Sequence, residues 1–290
     1  MTRLSASLEL AKAVRHACPH AFIVLWHADA VEDPELRLSA FAAGANMVTC
    51  FGSHLDEALG KLGSIGRDRP PGGAAAACAC PWCGQSGLTP DELWTHAPLH
   101  HVHDENRGGP CSVCGEAADN LAVHIHEEHW PGGPRREVRR GLGSAVVIHR
   151  KRDNKFLMVQ EFAGQGFWVP GGMTDEGESI RASALRECQE EAGVDVAHWV
   201  DPATSKPVWR LVTFYSALED EAAEAGWRPK TLPCFESAGA CWVSLEQLAR
   251  VPLRSARIPT AWYPHFAAGG AAKPLELPAD ALHLFPDVQF

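Results

Sequence analysis

Hydrophobic and polar positions along the 290 residues fall into three regimes. Over residues 1–62, short apolar runs alternate with stretches that favour helix. Ala21–Trp26 (AFIVLW) predicts a buried strand. Pro34–Ala43 predicts a helix with Asp33 as N-cap and Pro34 in the first turn, stopped by Gly44. Met47–Phe51 predicts a second strand, and Ser53–Leu62 a second helix capped by Ser53. A βαβα order implies two parallel strands covered by helices. Residues 63–77 (GSIGRDRPPGGAAAA) predict a flexible linker, and Pro131–Pro134 (PGGP) breaks the chain again. Strand and helix patterns then run over 137–268, ahead of a proline-rich tail at 269–290. No apolar run nears the ~20 residues of a membrane helix. Met1–Ala13 lacks the core of a secretion signal. A chain free of the membrane, in cytoplasm or nucleus, is expected.

Composition adds a chemical division to this pattern. With 46% hydrophobic and 21% charged residues the chain can bury a core, and its length suits two or three folding units. Five of its ten cysteines lie in Cys78–Cys114 and seven of its fifteen histidines in His96–His129. That clustering, without a secretion signal, favours metal ligation over disulfides. Cys80-x₂-Cys83 is followed after twelve residues by His96 and after three more by His100. Thr89 and Glu92 form a capping-box pattern with Pro90 in the first turn, so both histidines fall on one predicted helix as i, i+4 neighbours. A second unit places Cys111-x₂-Cys114 ahead of His124 and His129, with His126 a rival ligand. Both units resemble two-Cys/two-His zinc fingers, the second as a contracted variant. Zn²⁺ at two sites is the expectation, and one shared site of Cys80, Cys83, Cys111 and Cys114 is the competing geometry.

Fingers suggest nucleic acid, but the charge opposes it. Residues 78–130 carry one arginine against eight acids, a balance of −7, and the whole chain carries −10. Phosphate backbones are repelled by such a surface, so a structural or protein-binding role is expected. Upstream, Ala21–Leu59 resembles the C-terminal half of a response-regulator receiver domain. The acidic strand end that takes phosphate has no counterpart here, and Cys50 and Phe51 stand near the place of that family's lysine. Phosphoryl signalling is not expected of it; a docking module or a structural piece is.

The densest pattern is GMTDEGESIRASALRECQEEAGV, from Gly172 to Val194. It contains no proline, favours helix over Glu178–Ala192 and offers Gly193 as a stop. Ile180, Ala184 and Cys188 form its apolar stripe, while Glu187, Glu190 and Glu191 crowd one face. Like charges at that spacing repel, and an oxygen-seeking divalent cation relieves the conflict. The segment matches G-x₅-E-x₇-R-E-U-x-E-E-x-G-U and thereby resembles the Nudix hydrolases over 137–268. The resemblance implies an α/β/α sandwich with a mixed sheet and hydrolysis of a nucleoside diphosphate linked to another moiety. It also implies Mg²⁺ (or Mn²⁺) on Glu187, Glu190 and Glu191, with Arg186 orienting Glu178. Glu191 is the first choice of general base and Glu236 the second. Trp168 and the turn at Gly171–Gly172 are expected at the phosphates and base.

Arg135, Arg136, Arg139, Arg140, Arg150, Lys151, Arg152 and Lys155 form a basic stretch that can steer anions, or merely a soluble linker and hairpin turn. Trp168 and Trp209 are candidates to stack on a base or to fill the core. Zinc cysteines ahead of this box also resemble NADH pyrophosphatases and NAD-cap-removing enzymes, but Val200–Arg210 lacks their Ser-Gln-Pro-Trp-Pro-Phe-Pro run. Nucleoside triphosphates, ADP-ribose, dinucleoside polyphosphates and inositol pyrophosphates stay open as substrates. So does a zinc-dependent interaction protein whose domain binds nucleotide without turnover.

Overall fold

The computed structural model describes residues 3–66, 78–131, 133, 143–175, 177–194, 200–201, 211–218 and 227–272. Most of the expected linker, the tail from 273, the arginines at 135–140 and Trp209 lie outside the described residues. The βαβα order is present: β1 (Val24–Trp26) and β2 (Met47–Thr49) pair in parallel, with α2 (Pro34–Ala42) and α3 (Gly52–Ser64) following them. Asp33 caps α2 by accepting from the amides of Glu35 and Leu36. Helix α3 starts two residues earlier than its serine suggested. Phe51 stands at its cap with no side-chain bond, so Ser53 is not the cap. An additional helix, α1 (Arg3–Ala17), precedes the strands; its weak amphipathic pattern, with Ala11 alone buried, gave no signal.

The C-terminal part is a mixed sheet. Strands β7 (Gly143–Arg150) and β12 (Leu211–Leu218) run parallel, while β8 (Lys155–Gln160) and β13 (Gly239–Ser244) are antiparallel. Short strand β11 (Val200–Asp201) lies outside β12. Alternation with period two sends Val146 and Ile148 to one face and Ala145 and Val147 to the other. The first face packs on α6 (Ile180–Glu187) through Ile180, Ala184 and Cys188, the stripe predicted above. The second packs on α7 (Leu245–Leu248) and α8 (Arg257–Ala267) through Leu248, Ile258, Tyr263 and Phe266. The result is the expected α/β/α sandwich. Strands β7 and β8 pair directly only near their hairpin, at His149–Phe156 and Arg150–Lys155. Beyond it β9 (Phe167–Trp168) takes the edge of β8, and β10 (Gly171–Met173) that of β7. The turn joining β9 to β10 is thus wedged into the sheet.

The N-terminal segment seals the far edge of this sheet. The Trp242 amide on β13 donates to Val31 O at 2.8 Å, and covering an edge strand removes a site of unwanted pairing. Arg37, fully buried, donates to Ala238 O at 2.8 Å, to Gln160 Oε1 at 3.2 Å, and to the carbonyls of Ala30 and Val48. Glu32 receives Arg150 at 2.8 and 2.6 Å and Lys155 at 2.8 Å. Arg150 also bonds Asp153 and lies over Trp242. These two cations are therefore tied into a domain contact and do not form an anion-steering patch.

The Cys/His region folds as two small units. The first has β3 (Cys78–Ala79), β4 (Ser86–Leu88) and α4 (Pro90–His101); the second has β5 (Gly109–Pro110), β6 (Ala117–Ala118) and α5 (Leu121–Glu128). Thr89 and Glu92 close the capping box of α4. Cys111, Cys114, His124 and His129 each bring a ligand atom within 4.8 Å of the others, and so do Cys80, Cys83, His96 and His101. Two thiols and two imidazoles per cluster are a donor set suited to tetrahedral zinc. Because the tetrads are separate, the shared four-cysteine site does not form. Burial pushes the His96 pKa down to about 3, and neutral imidazole is the ligating form.

His100 is not in the first tetrad; His101 takes its place. The His100 ring stacks on His96 at 4.5 Å and meets the edge of Phe22 from the N-terminal segment at 5.6 Å. Its backbone carbonyl accepts from Asn46. His101 Nδ1 lies 2.6 Å from Asp104 Oδ2, which leaves Nε2 facing His96 Nε2 at 3.3 Å. Tertiary packing thus decides between adjacent histidines at the end of a helix interrupted by Pro98.

Native mass spectrometry of the full chain is expected to show two zinc ions. His101→Ala loses one and His100→Ala keeps both; the reverse pattern would restore His100 as ligand. Arg37→Ala strands several buried carbonyls, so it should lower unfolding stability by about 2–4 kcal/mol in urea titration. A change within about 0.5 kcal/mol would show that this contact contributes little.

Candidate functional site

The sequence around Gly172 folds into a strand–loop–helix that brings its acids to one cleft. Ser179 caps α6, accepting from Ala182 N, so Glu178 lies in the loop before the helix rather than inside it. Past Glu187 the helix widens into a π-type turn, Cys188–Ala192, and ends at Gly193 with φ 69°. Such widened turns recur at functional sites. Here Glu191 faces inward at 6% exposure, while Glu190, with its side chain 28% exposed, faces Arg186.

Arg186 organises the acids around it. Its guanidinium donates to Glu178 at 3.1 and 3.0 Å, and to Glu187 and Glu190 at 2.9 Å each. It also reaches Met173 O at 2.9 Å, tying the helix to β10. Glu191 Oε2 accepts from the Gly171 amide at 2.8 Å. The two glycines are demanded by closeness. A Cβ on Gly171 would strike the Ser144 carbonyl, and one on Gly172 would sit 2.5 Å from Glu187 Oε1.

The cleft has a volume of ≈ 280 Å³ and also takes in Glu161, Glu236 and Arg254. Arg254 meets both oxygens of Glu161 at 3.1 Å. Burial is the main cause that raises the Glu187 carboxyl to about 8, with Glu236 and Glu190 adding to it against Arg186. Burial likewise raises Glu191 well above the usual carboxylate range, with Glu161 and Glu187 nearby. Ionising these groups therefore calls for added positive charge. The donor set is all oxygen, which suits magnesium or manganese. Glu187, Glu190 and Glu191 line the cleft but do not converge as the Cys/His tetrads do.

Beside this cleft, sharing Gly171–Met173 and Arg254, lies a second cavity of ≈ 530 Å³. Trp168 and Trp262 supply its aromatic surface and Arg257 a further cation. Trp168 therefore lies on the second cavity, and Gly171 and Gly172 on both. Glu161, Arg254 and Trp262 were missed in the sequence, and His126 was read there only as a rival zinc ligand. Their pairings span 93 residues or more, or lie beyond the box, and no local spacing marks them.

Residues 139–281 match the NUDIX domain family, and residues 76–130 match the zinc-binding family of the Drought induced 19 protein (Di19). Nudix hydrolase 10 of Arabidopsis thaliana is 42% identical over 110 residues, 36% of this chain and 38% of that protein. The chain thus spans well under half of that relative. A CMP-5'-(N-acetyl-N-hydroxy-3-aminopropyl)phosphonate hydrolase of Streptomyces rubellomurinus is 28% identical over 148 residues, 48% of this chain and 70% of that one. Among solved structures, a C. elegans Ap4A hydrolase complex aligns at TM-score 0.33 and 19% identity, over 44% of this chain and 96% of that one. With the box carried on the loop and helix just described, residues 139–281 are a Nudix-family domain, preceded at 76–130 by a Di19-type zinc-binding region.

Proposed function

We propose that the chain hydrolyses the diphosphate linkage of a nucleoside diphosphate joined to a second moiety, with magnesium or manganese as cofactor. The observation that carries this reading is the pair of buried carboxylates, Glu187 and Glu191, beside the half-buried strand Gly171–Met173, next to a cavity with two tryptophans and two arginines. The Streptomyces relative's name, a hydrolase of a CMP-linked phosphonate, supports a nucleotide-linked substrate.

The residues divide the work by position. Trp168 and Trp262 offer faces for a base, and Arg254 and Arg257 offer charge to phosphate oxygens. The diphosphate is then placed along β10, whose glycines line the cleft and pack directly on β7 and Glu187. Glu187, Glu190 and Glu191 would hold the cation. Bound there, a cation supplies charge neutralisation of the phosphates and lowers the barrier to in-line attack by water. Arg186 fixes Glu187 and Glu190 in rotamers that face the cleft and keeps Glu178 as its counter-ion. Glu191, oriented by the Gly171 amide, is assigned as the proton acceptor, with Glu236 at the far wall as the alternative.

A screen over nucleoside diphosphate conjugates with magnesium, in which an added phosphomonoesterase frees phosphate from the monoester products, is expected to find turnover that Glu190→Gln abolishes. Glu191→Gln should lower kcat by about 100-fold or more. Melting shifts with ligand but no turnover would make the chain a binder, and full turnover in Glu191→Gln would remove the base assignment. The acids also predict a pH signature. Glu187 and Glu191 have folded pKa values raised above the unfolded ones, so the folded state holds extra protons and stability falls as pH rises. Zinc-loaded protein free of magnesium should thus lose Tm between pH 6.5 and about 8, and magnesium should cancel the loss. A Tm flat over that range without magnesium would contradict it.

A further inference from the structure

One wall of the carboxylate cleft does not come from the Nudix domain. Asn120, Ala122, Val123, His126 and Glu127 of the second zinc unit line it, with Asn106 from the connection between the two units. His124 and His129 turn toward Cys114 and Cys111 at 3.3 Å, fixing α5 from behind. His126, expected above as a rival zinc ligand, faces the other way. Its Nε2 lies 2.8 Å from Glu236 Oε1, with the two side chains 13% and 22% exposed. A carboxylate accepts, so the imidazole donates.

The contact sits in a continuous apolar layer. The His126 ring stacks on Phe235 at 5.5 Å and 17°. Phe235 meets Trp94 of the first zinc unit at 5.6 Å and Phe162 of the Nudix domain at 5.5 Å. The Ala163 amide donates to Val102 O just past α4. Leu121, Ala122 and Ile125 of α5 belong to the same buried cluster as Phe162, Phe235 and Ala238. Ser237, next to Glu236, donates to Glu191 O at 2.7 Å. Movement of α5 therefore reaches both Glu236 and the end of the glutamate helix.

We propose that the second zinc unit is a working wall of the cleft and that His126 is the positioning residue that holds Glu236 among the carboxylates. The inference rests on the hydrolase reading of the cleft. Glu236 lines the same cleft as Glu161, Glu187, Glu190 and Glu191, so like-charge repulsion among these carboxylates drives it outward. The His126 hydrogen bond opposes that drive and keeps a carboxylate where a cation can use it. Zinc at the tetrad would set the helix that presents His126, linking a cysteine site to an oxygen site that share no ligand.

The test uses the full chain with two zinc ions verified by native mass spectrometry, and Mn²⁺ binding followed by electron paramagnetic resonance beside kcat and KM. His126→Ala should weaken Mn²⁺ binding and lower kcat, each by about tenfold or more, with little change in KM. His126→Gln, which sets an amide N–H near the place of Nε2, should recover most of both. Glu236→Gln should match His126→Ala, and the double variant should be no worse than either. Wild-type Mn²⁺ affinity in His126→Ala overturns the proposal, as does a Gln variant as defective as the Ala one, which would assign the effect to packing on Phe235. If no diphosphate is turned over by the wild type while His126→Ala still loses Mn²⁺, the hydrolase reading fails and the wall stands.

Discussion

Crowded negative charge is the constraint on which this structure turns. Seven acidic side chains, Glu127, Glu161, Asp175, Glu187, Glu190, Glu191 and Glu236, line a cleft that two arginines also reach. At a separation of 4 Å and an effective dielectric of 20, two like charges cost about 4 kcal/mol. The fold meets this with specific donors. Arg186 is spread over Glu178, Glu187 and Glu190. Arg254 is committed to Glu161, His126 to Glu236, and the Gly171 amide to Glu191. These partners orient the acids, but burial still lifts Glu187 and Glu191 above the usual carboxylate range. What remains is an oriented deficit of positive charge, which a dication fits.

That deficit can be held open because the surrounding parts brace one another. The wedge of β9 and β10 between β7 and β8 fixes the glycine turn. The N-terminal segment closes the β13 edge through Val31, Arg37 and Glu32. The zinc units share a buried cluster with Phe162 and Phe235. The acidity of residues 78–130 opposes nucleic acid, and the face of α5 along the cleft is spent within the chain. Both upstream segments thus brace the Nudix domain.

What could be read in advance was local. The glutamate box, the apolar stripe of α6, the capping box of α4 and the Cys-x₂-Cys pairs depend on neighbours within about one helical turn or one β-turn, and sequence spacing encodes those directly. Reading failed where a distant segment decides. His100 and His101 compete for one corner, and Phe22, far away in the chain, takes His100. Arg150 and Lys155 look like a free basic turn until Glu32 meets them. Both His126 and Glu236 were singled out separately, but their pairing spans two units and no local pattern marks it. Charge counts in a sequence also treat every ion as solvated, whereas Arg37 is fully buried.

The same electrostatics bears on how such a cleft must fill. The diphosphate proposed as ligand is itself anionic, so the bare cleft repels it. Among the described residues, Arg254 and Arg257 give the aromatic side a face where a nucleotide meets positive charge without a metal. Favourable entry of the phosphates then requires cations, and binding of cation and diphosphate must be thermodynamically linked, each raising the affinity for the other. The wall formed by α5 sharpens that linkage. By keeping Glu236 in the cleft, it adds to the repulsion felt by a bare phosphate and to the attraction felt by a dication. A cleft built in this way discriminates against phosphates that arrive without metal, and it does so through the placement of like charges.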